Sequence, residues 1–421
     1  MKVGASKKSI APTQFLPMGF RDEYGKIYRD VFVRTIVVES LGKTAVFTTF
    51  ELASAVSTKR IRKTVKEKYG IEPEYIDFGA THTHECAFST SMMMPGMPAT
   101  EKTDAYDEYI YEQAIASINE AMANKREAKW AFTKGKSYIN VCRDQEGIDG
   151  VWFQGRDFEG PSDKTLAILK FTDLEGKVIA VLMNYGMHGT ACYLKKDKEE
   201  STMMIAGDVP GFVSDFVEGY YKEDGAIAAW SIAAGGNQNP IFFCIYQKYN
   251  EKGIPDGIFS TGYDAWGLCE HLGQTQGIEA VKLINAVKAE DMKDEAEIKA
   301  VDRTVAVPAM KRVGRGIKPT DEFKVEDDGE IEMQLKLMTL DDVAIMSING
   351  ELVAEIGLRL KEAMNYDKAM ILSLSAESIG YIPDERGYNN RTFAFFGTRI
   401  KDGKGEEYIT PNFLEMDKER H

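Results

Sequence analysis

The stretch LAILKFTDLEGKVIAVLMNYGMHGT, residues 166–190, decides how the rest of the chain is read. Two apolar runs flank Asp173-Leu174-Glu175-Gly176-Lys177, a turn composition, so the stretch predicts a β-hairpin. The second arm is a continuous apolar run, which places it inside a sheet and not at a solvated edge. It ends in a short turn followed by His188 and Gly189.

The same pattern recurs on either side. Residues 31–51, VFVRTIVVESLGKTAVFTTFE, predict a hairpin turning at Gly42, and residues 331–350, IEMQLKLMTLDDVAIMSING, predict a third. YIDFGAT (75–81), IAAWSIAAGG (227–236) and the late KAMILSLS (368–375) read as further strands. Helical patterns cover 54–69, stopped at Gly70, and 104–124, with Tyr111, Ile115, Ile118 and Met122 on one face. They also cover 265–287, with Val281 and Ile284 inward, and 351–364, with Asn349 as the N-cap. Hairpins interleaved with helices predict an α/β fold of mixed β-sheets packed together and flanked by α-helices. The polar run 312–330 is read as a surface loop, so residues 1–421 are expected to form one domain.

Composition narrows the function. The chain has 421 residues, 43% hydrophobic and 28% charged, as in ordinary globular proteins. Its net charge of -14 opposes a nucleic-acid partner, which would require a basic surface. No run approaches the ~20 apolar residues of a membrane span, and the first residues carry no signal-peptide pattern. Five cysteines at scattered spacings fit reduced thiols. A cytoplasmic protein is the expectation.

The chemistry centres on GATHTHECAF, residues 79–88, where His82 and His84 sit at a strand end. Alternate residues of an extended segment face the same way, so both imidazoles can enter one cavity. His188 has a similar setting, and the chain contains only five histidines. Two such sites make a shared metal the sharper reading than two polar strand caps, and neutral imidazole suits zinc. Glu351, where a strand meets a helix, is a candidate carboxylate ligand, although a charge against the helix dipole would look the same. A Cys86 thiolate is an alternative ligand. The methionine-rich segment 89–101 reads as an apolar wall or lid, or else as a plug in the core. GGNQNP (235–240) lacks the lysine and the GKS/T ending of a phosphate loop.

An ordered set of motifs carries a resemblance: THTH (81–84), MHGT (187–190), AGDVPG (206–211), GGNQNP (235–240), NGE (349–351) and GYIPDE (380–385). In this order and spacing the sequence resembles the neutral/alkaline ceramidases and their bacterial relatives. The resemblance implies one Zn2+ held by His82, His188, Glu351 and Tyr381. It implies pocket roles for His84 and Arg143 and a supporting role for Asp208. Zinc would supply hydroxide near neutral pH, with His84 as general acid and Arg143 or Asn239 as donor to the oxyanion. A well-aligned donor contributes about 3–4 kcal/mol. The expected activity is zinc-dependent hydrolysis of the amide bond of a small, N-acylated and lipid-like substrate. The alternative is a non-catalytic or differently specific relative acting on an ester or sugar-linked substrate. Three departures stand out: Asn239 at the family's serine position, Asn237 at its aspartate position, and ECAFST after THTH. The family's separate carboxy-terminal β-domain is expected to be absent.

Overall fold

The computed structural model describes residues 1–14, 24–92, 98–192, 203–260, 265–313 and 324–420. The centre of the methionine-rich segment and residues 314–323 of the expected surface loop lie outside the described residues. Eight strands form one sheet: β1 (Lys2–Ser9), β2 (Phe32–Ser40), β3 (Lys43–Phe50), β4 (Ile76–Ala80), β5 (Arg126–Lys136), β6 (Thr165–Asp173), β7 (Val178–Tyr185) and β8 (Ile227–Ile232). Their spatial order is β8-β7-β6-β5-β1-β2-β3-β4. A second sheet has the order β9 (Ile298–Val313), β10 (Lys324–Leu340), β11 (Val343–Ile348) and β12 (Lys368–Ser373).

Both sheets are mixed. The hairpins are antiparallel, whereas β3 with β4, β7 with β8, and β11 with β12 run parallel. The β7 run is apolar on both faces because both are covered. Val181, Met183 and Tyr185 meet helices α3 (Asp208–Tyr220) and α4 (Ala265–Ala286), while Ala180 and Leu182 meet the second sheet through Val343, Ile345 and Met370. Each of the valine, leucine, isoleucine and methionine side chains contributes roughly 1.5–3 kcal/mol on burial. Helices α1 (Thr58–Tyr69) and α2 (Glu101–Ala123) cover the other half of the large sheet. Helices α5 (Ala354–Met364) and α6 (Gly405–Glu419) cover the outer face of the small one. The result is four layers, helices–sheet–sheet–helices.

Four expectations need correction. Helix α1 begins at Thr58 and not at 54, because Glu377 caps it from across the fold: Thr58 N donates to Glu377 Oε1 at 3.1 Å. The fully buried face of α2 is Tyr106, Ile110, Ala114, Ser117, Ile118 and Ala121, whereas Tyr111, Ile115 and Met122 are only half-buried. Small residues let α2 lie close on β1, where a Cβ on Gly4 would come within 2.0 Å of the Ala121 carbonyl. Asn349 does not cap α5: its Oδ1 accepts from Gln334 N, its Nδ2 donates to Glu332 O, and Val353 holds the cap position. Residues 324–330 are strand, paired with 308–313 in a long arm that extends β9 and β10. Polar side chains on an exposed arm left that pairing unread.

Candidate metal centre

The parallel pairs leave their carboxyl ends at one end of the molecule, where sheets of this class bind ligands. His82 follows β4, His188 follows β7, the turn Gly235–Gln238 follows β8, and Glu351 follows β11. A short parallel bridge, Thr83 to Gly189, joins the first two strand ends, with His84 N donating to Gly189 O at 2.9 Å. Residue 189 must be glycine, since a Cβ would lie 2.9 Å from Thr83 Cα. A second parallel bridge sets Glu351 opposite Tyr381. His82 has φ +57°, a conformation that costs a non-glycine residue roughly 1–3 kcal/mol and recurs at functional sites. That turn, and not an extended strand, swings the two imidazoles of THTH together.

The side chains converge closely. His82 Nε2 and His188 Nε2 lie 3.2 and 3.3 Å from Glu351 Oε2. His84 Nε2 lies 3.3 Å from His82 Nε2, and Tyr381 Oη lies 3.2 Å from His188 Nε2. The three histidines present nitrogen atoms within 4.8 Å of one another. His82 and His188 are buried, whereas His84 is partly exposed. Arg143, buried on the strand Asn140–Glu146, donates from Nη2 to Gly236 O at 2.6 Å, and its Nη1 lies 3.4 Å from both His188 Nε2 and Asn239 Oδ1. Phe393, 41% exposed, stacks its ring under the Arg143 guanidinium and edge-on to Tyr381.

Hydrogen bonding fixes which nitrogens face the centre. His82 Nδ1 lies 2.6 Å from Ala53 O, and His188 Nδ1 lies 2.8 Å from Gly235 O. A carbonyl only accepts, so both Nδ1 atoms carry hydrogen and a neutral ring turns its Nε2 lone pair inward. Burial, then Arg143 and His82, pushes His188 down to about 3, so its ring is neutral at physiological pH. Burial, with His82 and His188 beside it, also lowers His84. Burial raises the Tyr381 phenol, with Arg143 opposing and Glu351 adding. Glu351 Oε2 is therefore close to two nitrogens while lacking any hydrogen-bond partner. An array of inward lone pairs around a buried carboxylate oxygen is the donor set of a cation site, and His82, His84, His188, Glu351 and Tyr381 fit one.

Other expected residues fall elsewhere. Cys86 is fully buried, directs its thiol to Thr83 O, and is pushed up to about 12 by burial, so it is a core residue and not a ligand. Asp208 accepts from Ala191, Cys192 and Val209 N, which ties the segment after His188 to α3. Cys192 and Cys269 lie beside it, within 4.8 Å, but that carboxylate is already served by three backbone donors. The carbonyls of Ala53, Gly235 and Gln238 and the ring of Phe393 escaped the sequence reading. Backbone acceptors have no residue signature, and Phe393 sits in an unremarkable RTFAFFG.

No protein-family model matches the chain. Solved structures that match it include two ceramidases. One is neutral ceramidase from Pseudomonas aeruginosa, with TM-score 0.76 and 15% identity over 99% of this chain and 73% of that one. The other is a ceramidase complexed with C2, with TM-score 0.77 and 16% identity over 99% of this chain and 74% of that one. The chain has the neutral ceramidase fold. The family whose motifs the sequence resembles is thus also the one whose architecture it shares. At this identity the likeness speaks for fold, and the site must be argued from its own atoms.

Proposed function

We propose that this protein is a metal-dependent hydrolase of ceramidase type that cleaves the amide bond of a small N-acylated compound, with residues 1–421 forming one catalytic domain. The observation that carries the reading is the buried Glu351 Oε2, without a hydrogen-bond partner and 3.2 and 3.3 Å from two inward-facing imidazole nitrogens. His82, His188, Glu351 and Tyr381 would hold the ion, and zinc suits this imidazole and oxygen set, although Irving–Williams competition makes availability decisive. The ion would supply hydroxide near neutral pH and polarise the carbonyl under attack.

The chain's own groups do the rest. His84 is the partly exposed imidazole of the three, so it is the one placed to take up the proton that the attacking water loses and to deliver it to the leaving amine. Arg143, anchored by Gly236 O, keeps its charge beside the centre as a donor to the developing oxyanion, with Asn239 next to it. Phe393 offers an apolar wall for an acyl chain. The net charge of -14 supports a small-molecule substrate over nucleic acid, and no described helix is long and apolar enough to cross a membrane. Five free, buried thiols support a cytoplasmic location.

The test is turnover of a panel of N-acylated amines, esters and glycosides, with and without chelator, on wild type and His188→Ala. Chelator-sensitive amide cleavage, with both cleavage and bound metal lost in His188→Ala, is expected. Full activity in His188→Ala would remove the metal reading, and cleavage of esters or glycosides alone would remove the amide substrate.

A further inference from the structure

The turn Gly235–Gly236–Asn237–Gln238 serves two residues of the centre at once. Gly235 O and Gln238 O lie 2.8 and 3.2 Å from His188 Nδ1, and Gly236 O accepts from Arg143 Nη2 at 2.6 Å. The His188 backbone N–H also donates to Gln238 O. The turn rests directly on the Glu351 strand, where a Cβ on Gly236 would meet Glu351 O at 2.7 Å. Two buried polar side chains anchor it: Gln238, which donates to Pro161 O at 2.9 Å and accepts from Ser162 Oγ, and Asn237, 1% exposed. Asn237 Oδ1 accepts from Ala354 N and Gln238 Nε2, both at 3.0 Å. Its Nδ2 donates to Glu355 Oε2 at 2.7 Å, and its side chain also bonds Asp144. Only an amide can do this, because two donors and two carboxyl partners require two lone pairs and two N–H hydrogens on one group. Glu355 stands in the first turn of α5, four residues after Glu351, its side chain 10% exposed.

We propose that Glu355 is a positioning residue: through the Asn237 amide it holds the carbonyl turn that fixes the His188 tautomer and seats Arg143. This rests on reading the centre as a metal site. Glu355 touches neither His188 nor Arg143 in the described contacts, so its influence runs through the turn. Removing it strands a buried Asn237 N–H and frees the turn to shift. Carbonyls that orient ligand imidazoles are part of a metal site's affinity, and their loss typically costs 10–100-fold.

The experiment compares Glu355→Ala, Glu355→Gln and Asn237→Asp. Glutamine keeps an acceptor oxygen for Asn237 Nδ2, and Asn237→Asp keeps the shape but sets a third carboxyl against Glu355 and Asp144. The His188 ring is read by nitrogen-15 NMR in the metal-free, folded protein, and Zn2+ affinity by competition with a chromophoric chelator. Wild type and Glu355→Gln should show one Nδ1–H tautomer and matching affinity. Glu355→Ala and Asn237→Asp should show mixed tautomers and roughly 10–100-fold weaker Zn2+. Wild-type ring shifts and affinity in both disruptive variants, or equal losses in Glu355→Gln and Glu355→Ala, would overturn the proposal. If Glu355→Ala does not fold, Asn237→Asp decides by the same readings. Should wild type cleave no N-acyl amine, the proposed activity fails while the tautomer comparison still decides the role of Glu355.

Discussion

Two clusters of polar side chains both draw on the end of β3 and are built on opposite principles. In the first, Arg29 donates to Glu51 and Asp215, Arg34 to Glu51 and Glu218, and Lys7 to Glu218 at 2.6 Å. Three cations meet three carboxylates. Arg34 and Glu51 are almost fully buried, yet each opposite charge is in contact. In the second, the imidazoles of His82 and His188 and the carboxylate of Glu351 point lone pairs at one another. The end of β3 feeds both, since Glu51 enters the ion network while Ala53, two residues on, gives its carbonyl to His82. The first cluster sets every cation against a carboxylate and ties β1, β2 and α3 together. The second, on the reading proposed above, is completed by a cation, which would separate a functional site from a structural one.

The comparison can be broken at several points. Glu51→Ala leaves two buried guanidinium groups without their shared partner, and should cost about 3–5 kcal/mol in chemical denaturation. A loss below ~1 kcal/mol would mean that the arginines are solvated or otherwise paired. A smaller effect concerns pH. Burial opposes it, but Arg34 and Lys7 lower Glu218 from 4.5 to about 2. A depressed carboxylate stabilises the fold above its unfolded value and loses that contribution as pH falls through the folded one. Stability should therefore decline between pH ~4.5 and ~2 by at most roughly 3 kcal/mol from this group. Glu218→Gln should flatten that slope in urea titrations, and an unchanged slope would assign the acid sensitivity elsewhere. The smallest effect sharpens the contrast most. In metal-free protein, Glu351→Gln should raise stability by about 1 kcal/mol, because an amide N–H then meets an imidazole lone pair. On the proposed reading the same change should abolish tight metal binding, a trade of stability against function. A fall in stability would show that the carboxylate was already satisfied.

Much of this was legible in the linear chain. Period-two and continuous apolar runs gave the hairpins at 31–51, 166–185 and 331–348, and Gly42 and Gly70 adopt the positive φ their positions suggested. The histidines at two strand ends, the NGE glutamate and the GYIPDE tyrosine come together within hydrogen-bonding range. What escaped reading had no local signal. Strand β9 alternates around charged and small residues on an exposed arm. The buried stripe of α2 sets alanine and serine between Tyr106, Ile110 and Ile118. Asn349 has capping chemistry that the fold spends on Gln334 and Glu332 instead.

The sequence by itself determined which residue types were available and where strands would end, because side-chain periodicity and turn chemistry are local properties. It could not determine that Ala53 and Gly235 would aim carbonyls at two imidazoles, or that Asn237 would brace their turn against Glu355. Those arrangements depend on strand ends from two different sheets meeting in space. Backbone carbonyls are the same at every residue, so only the tertiary structure decides which of them orient the centre.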